Sequence, residues 1–299
     1  MCGIVGLLVR DQGLEQDLGR HFTTMLEEMT ARGPDSAGLA IYDRGVPAPA
    51  LRWSLRSDAP TIDWSSVQAA VDTATGATSS IEEIGNIAFL VTSAPEEVVS
   101  QALLGMADHQ LTIVGVGKAI RLIKDVGLPR DICERYRVPQ MSGYLALGHT
   151  RMATESANTT DGAHPFSPAN DLALVHNGSF SNHATIRRTL VDAGVTCVTD
   201  NDTEVAAQFI GYRMTQGDDL EEAMRHVLKE FDGFFTLVVS TDHQFSVVRD
   251  AFACKPMVIA ERPEYIAVAS EYHALASLPD IEGARIFEPQ PEEIHTWTV

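Results

Sequence analysis

Apolar and polar positions change period repeatedly along this chain. Residues 3–10 combine glycine with β-branched residues and leucine, which predicts a buried strand. From Leu14 the spacing becomes Leu18, Phe22, Met25, Leu26 and Met29, one face of a helix, and Arg32-Gly33-Pro34 ends it. Ala37–Tyr42 reads as the next strand. After position 144 strands recur at Leu145–Thr150, Leu172–His176, Phe234–Ser240, Phe245–Arg249, Met257–Ala260 and Tyr265–Ala269, with helices over 182–193, 203–215 and 219–230. Many strands with helices before and between them predict sheets packed on each other under helical layers, an α+β body.

Between these halves the rhythm differs. A proline-bearing stretch at 45–61 leads to a strand at Ile87–Val91, a helix at Glu96–Met106 opened by Pro95, a strand at Leu111–Val116 and a helix at Lys118–Val126. This order predicts a small α/β insertion over 56–142, leaving 1–55 and 143–299 as the body. Its Gly115-Val116-Gly117-Lys118 turn has Ile120 where a third glycine would complete a dinucleotide loop, and no Walker lysine motif follows, so it reads as a tight strand-to-helix turn.

Charge narrows the partners. With 22 basic and 41 acidic residues the formal charge is −19, which repels nucleic acid and anionic membrane surfaces. No apolar run approaches the ~20 residues of a membrane span, and no secretory signal precedes the first strand. The four cysteines, at 2, 133, 197 and 254, are too far apart for a CxxC metal knuckle, and no metal site is expected. Cytoplasmic localisation is the expectation.

The chemistry starts at Cys2. Removal of Met1 would place a thiol and a free α-amine on one residue, and groups with ordinary pKa values of about 8.5 and about 8 exchange a proton near neutrality. Such a nucleophile carries its own base. Four polar clusters stand where strands end: Arg32–Gly38, Gly148–Thr154, His176-Asn177-Gly178 and Asp200–Glu204. Thiolate attack on a carboxamide needs oxyanion donors, and the Asn177 side chain with the Gly178 N–H would supply two. Asn-Gly is equally a common turn. Arg151 can grip an α-carboxylate bidentately and Asp202 can accept from an ammonium, although a surface salt bridge and a helix N-cap explain the same residues.

These motifs in this order resemble the class II glutamine amidotransferases: Cys2-Gly3-Ile4-Val5-Gly6, Arg32-Gly33 with Asp35–Gly38, Gly148-His149-Thr150-Arg151, Ala163-His164-Pro165, His176-Asn177-Gly178, Asp202-Thr203-Glu204, Arg249-Asp250, Lys255-Pro256 and Ala269-Ser270-Glu271. The resemblance implies an N-terminal-nucleophile four-layer αββα sandwich and glutamine hydrolysis through a thioester on Cys2. It implies further that Asn177 and Gly178 form the oxyanion hole, that Arg151, Thr154 and Asp202 bind substrate, and that Arg32 supports the nucleophile.

Two departures stand out. The family continues its arginine motif as Arg-Trp-Ala-Thr-His-Gly, whereas this chain has Arg151-Met152-Ala153-Thr154-Glu155-Ser156, which leaves strict glutamine specificity open. The insertion is the second. Both features, with no synthetase fused after Val299, resemble the small amidotransferase subunit family of N-methylglutamate synthase. That resemblance implies synthase subunits as hetero-oligomeric partners, with FMN and iron–sulfur clusters there and no cofactor in this chain. A catalytically silent regulatory subunit and a free-standing amidohydrolase are the alternatives.

Overall fold

The computed structural model describes residues 2–106, 110–152 and 159–299. In chain order the first half comprises β1 (Gly3–Val9), α1 (Gln12–Glu15), α2 (Leu18–Glu28), β2 (Ser36–Tyr42), β3 (Leu51–Ser57), α3 (Trp64–Thr75), β4 (Ser80–Ile84), β5 (Ile87–Thr92), α4 (Glu96–Leu104), β6 (Leu111–Gly117), β7 (Ile120–Val126) and α5 (Pro129–Arg135). The second half adds β8 (Leu145–Arg151), β9 (Ala173–Phe180), α6 (His183–Asp192), α7 (Asp202–Thr215), α8 (Leu220–Glu230), β10 (Gly233–Ser240), β11 (Gln244–Arg249), β12 (Val258–Glu261), β13 (Tyr265–Ala269), β14 (Arg285–Phe287) and β15 (His295–Thr298).

Two antiparallel sheets make the body, one ordered β14-β12-β13-β1-β8-β2-β7 and the other β15-β11-β10-β9. Alternation decides what each face buries. From the first sheet Ile4, Leu8, Ala40, Tyr42 and Leu147 point inward to meet Val175, Val238, Phe245 and Val247 of the second. The opposite faces are covered separately. Val5, Leu7, Leu39 and Ile41 pack on Phe22, Met25 and Leu26 of the amphipathic α2 and on Met29 just past its end, with Ile132 and Cys133 of α5 beside them. Leu174, Leu237, Val239 and Val248 pack on Ile186, Val205, Ile210 and Met224 of α6 to α8. The result is the expected four-layer αββα sandwich.

The insertion differs from its predicted boundaries. Its own antiparallel sheet, ordered β4-β5-β3-β6, spans 51–117 rather than 56–142, and β7 and α5 belong to the body. The element sequence βαββαβ and that strand order define a split βαβ unit, with Trp53, Leu55, Trp64, Val67, Val71, Leu90 and Val99 as its core. Lys118–Val126, read above as a helix, is mostly the strand β7, paired with β2 from Tyr42↔Ile120 to Ser36↔Val126. It is buried on both faces, Ile120 and Leu122 toward one core and Ile123 toward the other, which erases the two-residue period. The segment read as one helix from Leu14 to Met29 is two, broken at Gln16-Asp17.

Two buried ion networks join insertion and body. Arg52 of β3 contacts Asp43 (3.0 Å), and Arg56 contacts Asp125 of β7 (3.3 Å), which also binds Arg135 at 2.7 Å and the Tyr136 hydroxyl at 2.5 Å. The glycine turn between β6 and β7 is a strand-to-strand connection, and its amides are already filled. Asp171 accepts from the N–H groups of Lys118 (2.8 Å), Ala119 (2.8 Å) and Ile120 (3.0 Å), so the protein's own carboxylate occupies the place an anion would take.

Candidate active site

Cys2 lies immediately before β1, partly exposed, at one end of the space between the two body sheets. Two side chains grip its carbonyl oxygen: Arg32 Nε at 2.8 Å and Asn177 Nδ2 at 3.1 Å. Arg32 is only 8% exposed, and its Nη1 meets Glu271 Oε1 at 2.5 Å. It stands behind the nucleophile rather than in the cleft.

Asn177 and Gly178 do not form a turn. They lie within β9, opposite Thr236 and Phe235 of β10. Gly178 has φ +150, and a Cβ there would sit 1.9 Å from the Phe234 oxygen and 2.8 Å from His176 Nε2, so only glycine fits. Arg151 closes β8, is 6% exposed, and is backed by Gly162, where a Cβ would approach its Nη1 to 3.2 Å.

Asp202 is the first residue of α7 but not its cap. Asn201 caps the helix, accepting from the Thr203 N–H at 2.9 Å. Asp202 instead receives the Phe180 N–H on Oδ2 at 2.8 Å, with its Oδ1 3.3 Å from the Thr203 hydroxyl. Cys2, Arg151, Asn177, Gly178 and Asp202 line one cleft of about 620 Å³, with Lys255 and Phe234 at its side. Thr154, with the Glu155-Ser156 departure, lies outside the described residues.

Beneath this cleft stands a group of three buried histidines to which the sequence reading gave no role, although each sits in a quoted motif. The His149 and His164 rings lie against each other, centroids 4.0 Å apart and planes tilted by 32°. His149 Nε2 is 3.0 Å from the His176 carbonyl, and the His176 N–H donates to His164 Nδ1 at 3.3 Å. His176 Nδ1 is 2.9 Å from the Thr203 hydroxyl, which ties the floor to the Asp202 turn. Burial pushes the His149 pKa down to about 3 and that of His176 to about 4, the latter opposed by Asp202, and burial pushes His164 well below the usual range. The site floor is therefore polar and uncharged at neutral pH.

Lys124 is a second unforeseen group. Burial lowers its pKa to about 8, and its Nζ donates to the carbonyls of Asp161 and Ala163, both at 3.3 Å. That fixes the segment behind Arg151. Burial pushes the Cys133 thiol up to about 12, which leaves it inert. Among the described residues no group of three or more His, Cys, Asp or Glu is placed to hold a metal, and no helix is long and apolar enough to cross a membrane.

A sandwich of two antiparallel sheets between helices, with a leading cysteine at the open end of the sheets, defines an amidotransferase body of the N-terminal-nucleophile class. Comparison with known proteins agrees. Residues 149–277 match the family model described as glutamine amidotransferase domain. The chain is 46% identical to the glutamine amidotransferase-like protein GlxB of Rhizobium meliloti over 99% of its length and 98% of that protein. It is 30% identical to the amidophosphoribosyltransferase of Methanocaldococcus jannaschii over 60% of this chain and 40% of that one. In fold it resembles the glutamine phosphoribosylpyrophosphate amidotransferase of B. subtilis, with a TM-score of 0.63 and 19% identity, over 99% of this chain and 47% of that structure. The chain belongs to the class II glutamine amidotransferases.

Proposed function

We propose that this protein cleaves the side-chain amide of glutamine, or of a closely similar amide, through a thioester on Cys2. It then passes the released ammonia or amine to a glutamate-synthase-like partner, most closely of the N-methylglutamate synthase kind. The observation that carries the mechanism is the contact of Asn177 Nδ2 with the Cys2 carbonyl, which brings an oxyanion donor onto the nucleophilic residue itself. Arg151 and Asp202 open onto the same cleft and offer opposite charges to the two α-groups of an amino acid.

With Met1 removed, the α-amine of Cys2 takes the thiol proton and sulfur attacks the amide carbon. Asn177 and the Gly178 N–H stabilise the oxyanion, the C–N bond breaks as nitrogen accepts the proton from the α-ammonium, and water then hydrolyses the thioester. Thr154 is assigned to the substrate pocket. FMN and iron–sulfur clusters are assigned to partner subunits, and the assembly to the cytoplasm.

Glutamine hydrolysis by the intact assembly tests this, with Cys2→Ala beside the unaltered protein. The expected result is complete loss of ammonia release. Undiminished turnover would remove Cys2 from the reaction. Intact-mass measurement showing an active protein that retains Met1 would remove the α-amine as its base.

A further inference from the structure

The cleft wall contains a lone pair that none of the described residues uses. His149 stands opposite Ile4 in the β1–β8 ladder, and Cys2 lies two residues before Ile4, so both side chains face the space between the sheets. Both line the cleft. His149 is 0% exposed. Its Nε2 lies 3.0 Å from the His176 carbonyl oxygen. A carbonyl can only accept, so Nε2 carries the hydrogen and Nδ1 of this neutral ring is a bare acceptor. That nitrogen is buried with no hydrogen-bond partner among the described residues. His164 accepts at Nδ1 from the His176 N–H and so carries its hydrogen on Nε2, yet it makes no hydrogen bond to His149 Nδ1.

An unpaired buried acceptor is costly, and the ring that carries it lines the cleft of the nucleophile. What it lacks is a donor, and a carboxamide nitrogen brings two N–H groups. A product carboxylate brings none and meets the lone pair with its own. We propose that His149 Nδ1 accepts a hydrogen bond from the nitrogen leaving the substrate amide and holds it as free ammonia. This rests on the reading of Cys2 as an amide-cleaving nucleophile. The C–S bond forms, the C–N bond breaks, and nitrogen takes its third hydrogen from the N-terminal ammonium. One N–H of the resulting ammonia then points at Nδ1. A neutral imidazole has no acidic proton to give at that nitrogen, so the ammonia stays in its nucleophilic form.

The test compares kcat/KM for L-glutamine with that for L-glutamate γ-methyl ester, whose leaving oxygen carries no N–H, in the unaltered protein, His149→Leu and His149→Gln. In His149→Leu the glutamine-to-ester ratio is expected to fall about tenfold, the worth of one hydrogen bond in the transition state. His149→Gln, whose side-chain oxygen accepts, recovers part of it. Should His149→Leu fail to fold, His149→Phe, a flat ring without an acceptor, takes its place, with the same expected fall in the ratio. A ratio unchanged from that of the unaltered protein in every variant would overturn the assignment, because a purely structural histidine slows both substrates alike. An unaltered protein that cleaves neither substrate would instead remove the amidotransferase reading, which separates the two failures.

Discussion

Acidification is expected to unfold this protein over a window set by its buried imidazoles. In the unfolded chain a histidine gains its proton near about pH 6.5. In the folded chain burial holds His149 to about 3 and His176 to about 4. Between those limits the unfolded state binds more protons, so stability falls as pH drops below 6.5 and levels off only below the folded values. At pH 5 each group costs about 2 kcal/mol, from roughly 1.5 pH units at about 1.36 kcal/mol per unit, and the pair about 4 kcal/mol. His164 adds in the same direction. Against a typical total of about 5–15 kcal/mol that loss is large. Urea unfolding followed by tryptophan fluorescence between about pH 7 and pH 5 measures it directly. His176→Asn removes one titrating group, so its stability should fall by about 2 kcal/mol less over the same interval. Parallel pH dependence in the two proteins, or stability that is flat from pH 7 to 5, would refute the reasoning.

Gly178→Ala forces a Cβ to 1.9 Å from the Phe234 oxygen. It should displace the Gly178 N–H and lower kcat about 100-fold or more, and an unchanged kcat would exclude that N–H from the oxyanion hole. Asp171→Ala strips three backbone N–H groups of their acceptor. It should cost about 2 kcal/mol in urea unfolding, and inorganic phosphate should raise the midpoint of the variant but not that of the unaltered protein. Asp125→Asn leaves Arg56 with only the half-exposed Asp58 carboxylate and takes the charge from Arg135 and the Tyr136 hydroxyl. A loss of about 3 kcal/mol is expected, with faster hydrogen exchange in β3, and normal exchange there would show that the ion network does not hold the insertion.

The sequence made most of the body readable because its strands and helices each bury one clear face. Helix α2 was legible from Leu18, Phe22, Met25 and Leu26, all of which are fully buried. Strand β3 was overshadowed by the proline-bearing stretch around it, although Leu51, Trp53 and Leu55 alternate with Arg52, Ser54 and Arg56 as in a strand. Its arginines are only 4% and 6% exposed because Asp43 and Asp125 await them across the interface. The Arg56–Asp125 pair spans 69 residues and leaves no local signal. The histidine floor was invisible for a related reason. His149, His164 and His176 lie on different segments, and only the meeting of β8 with β9 across the two sheets makes them neighbours.

Arg52 and Gly117 face each other in the β3–β6 ladder, so the inserted unit enters and leaves the body through a single doorway. A graft made at such a point adds a whole folded module without stretching its host.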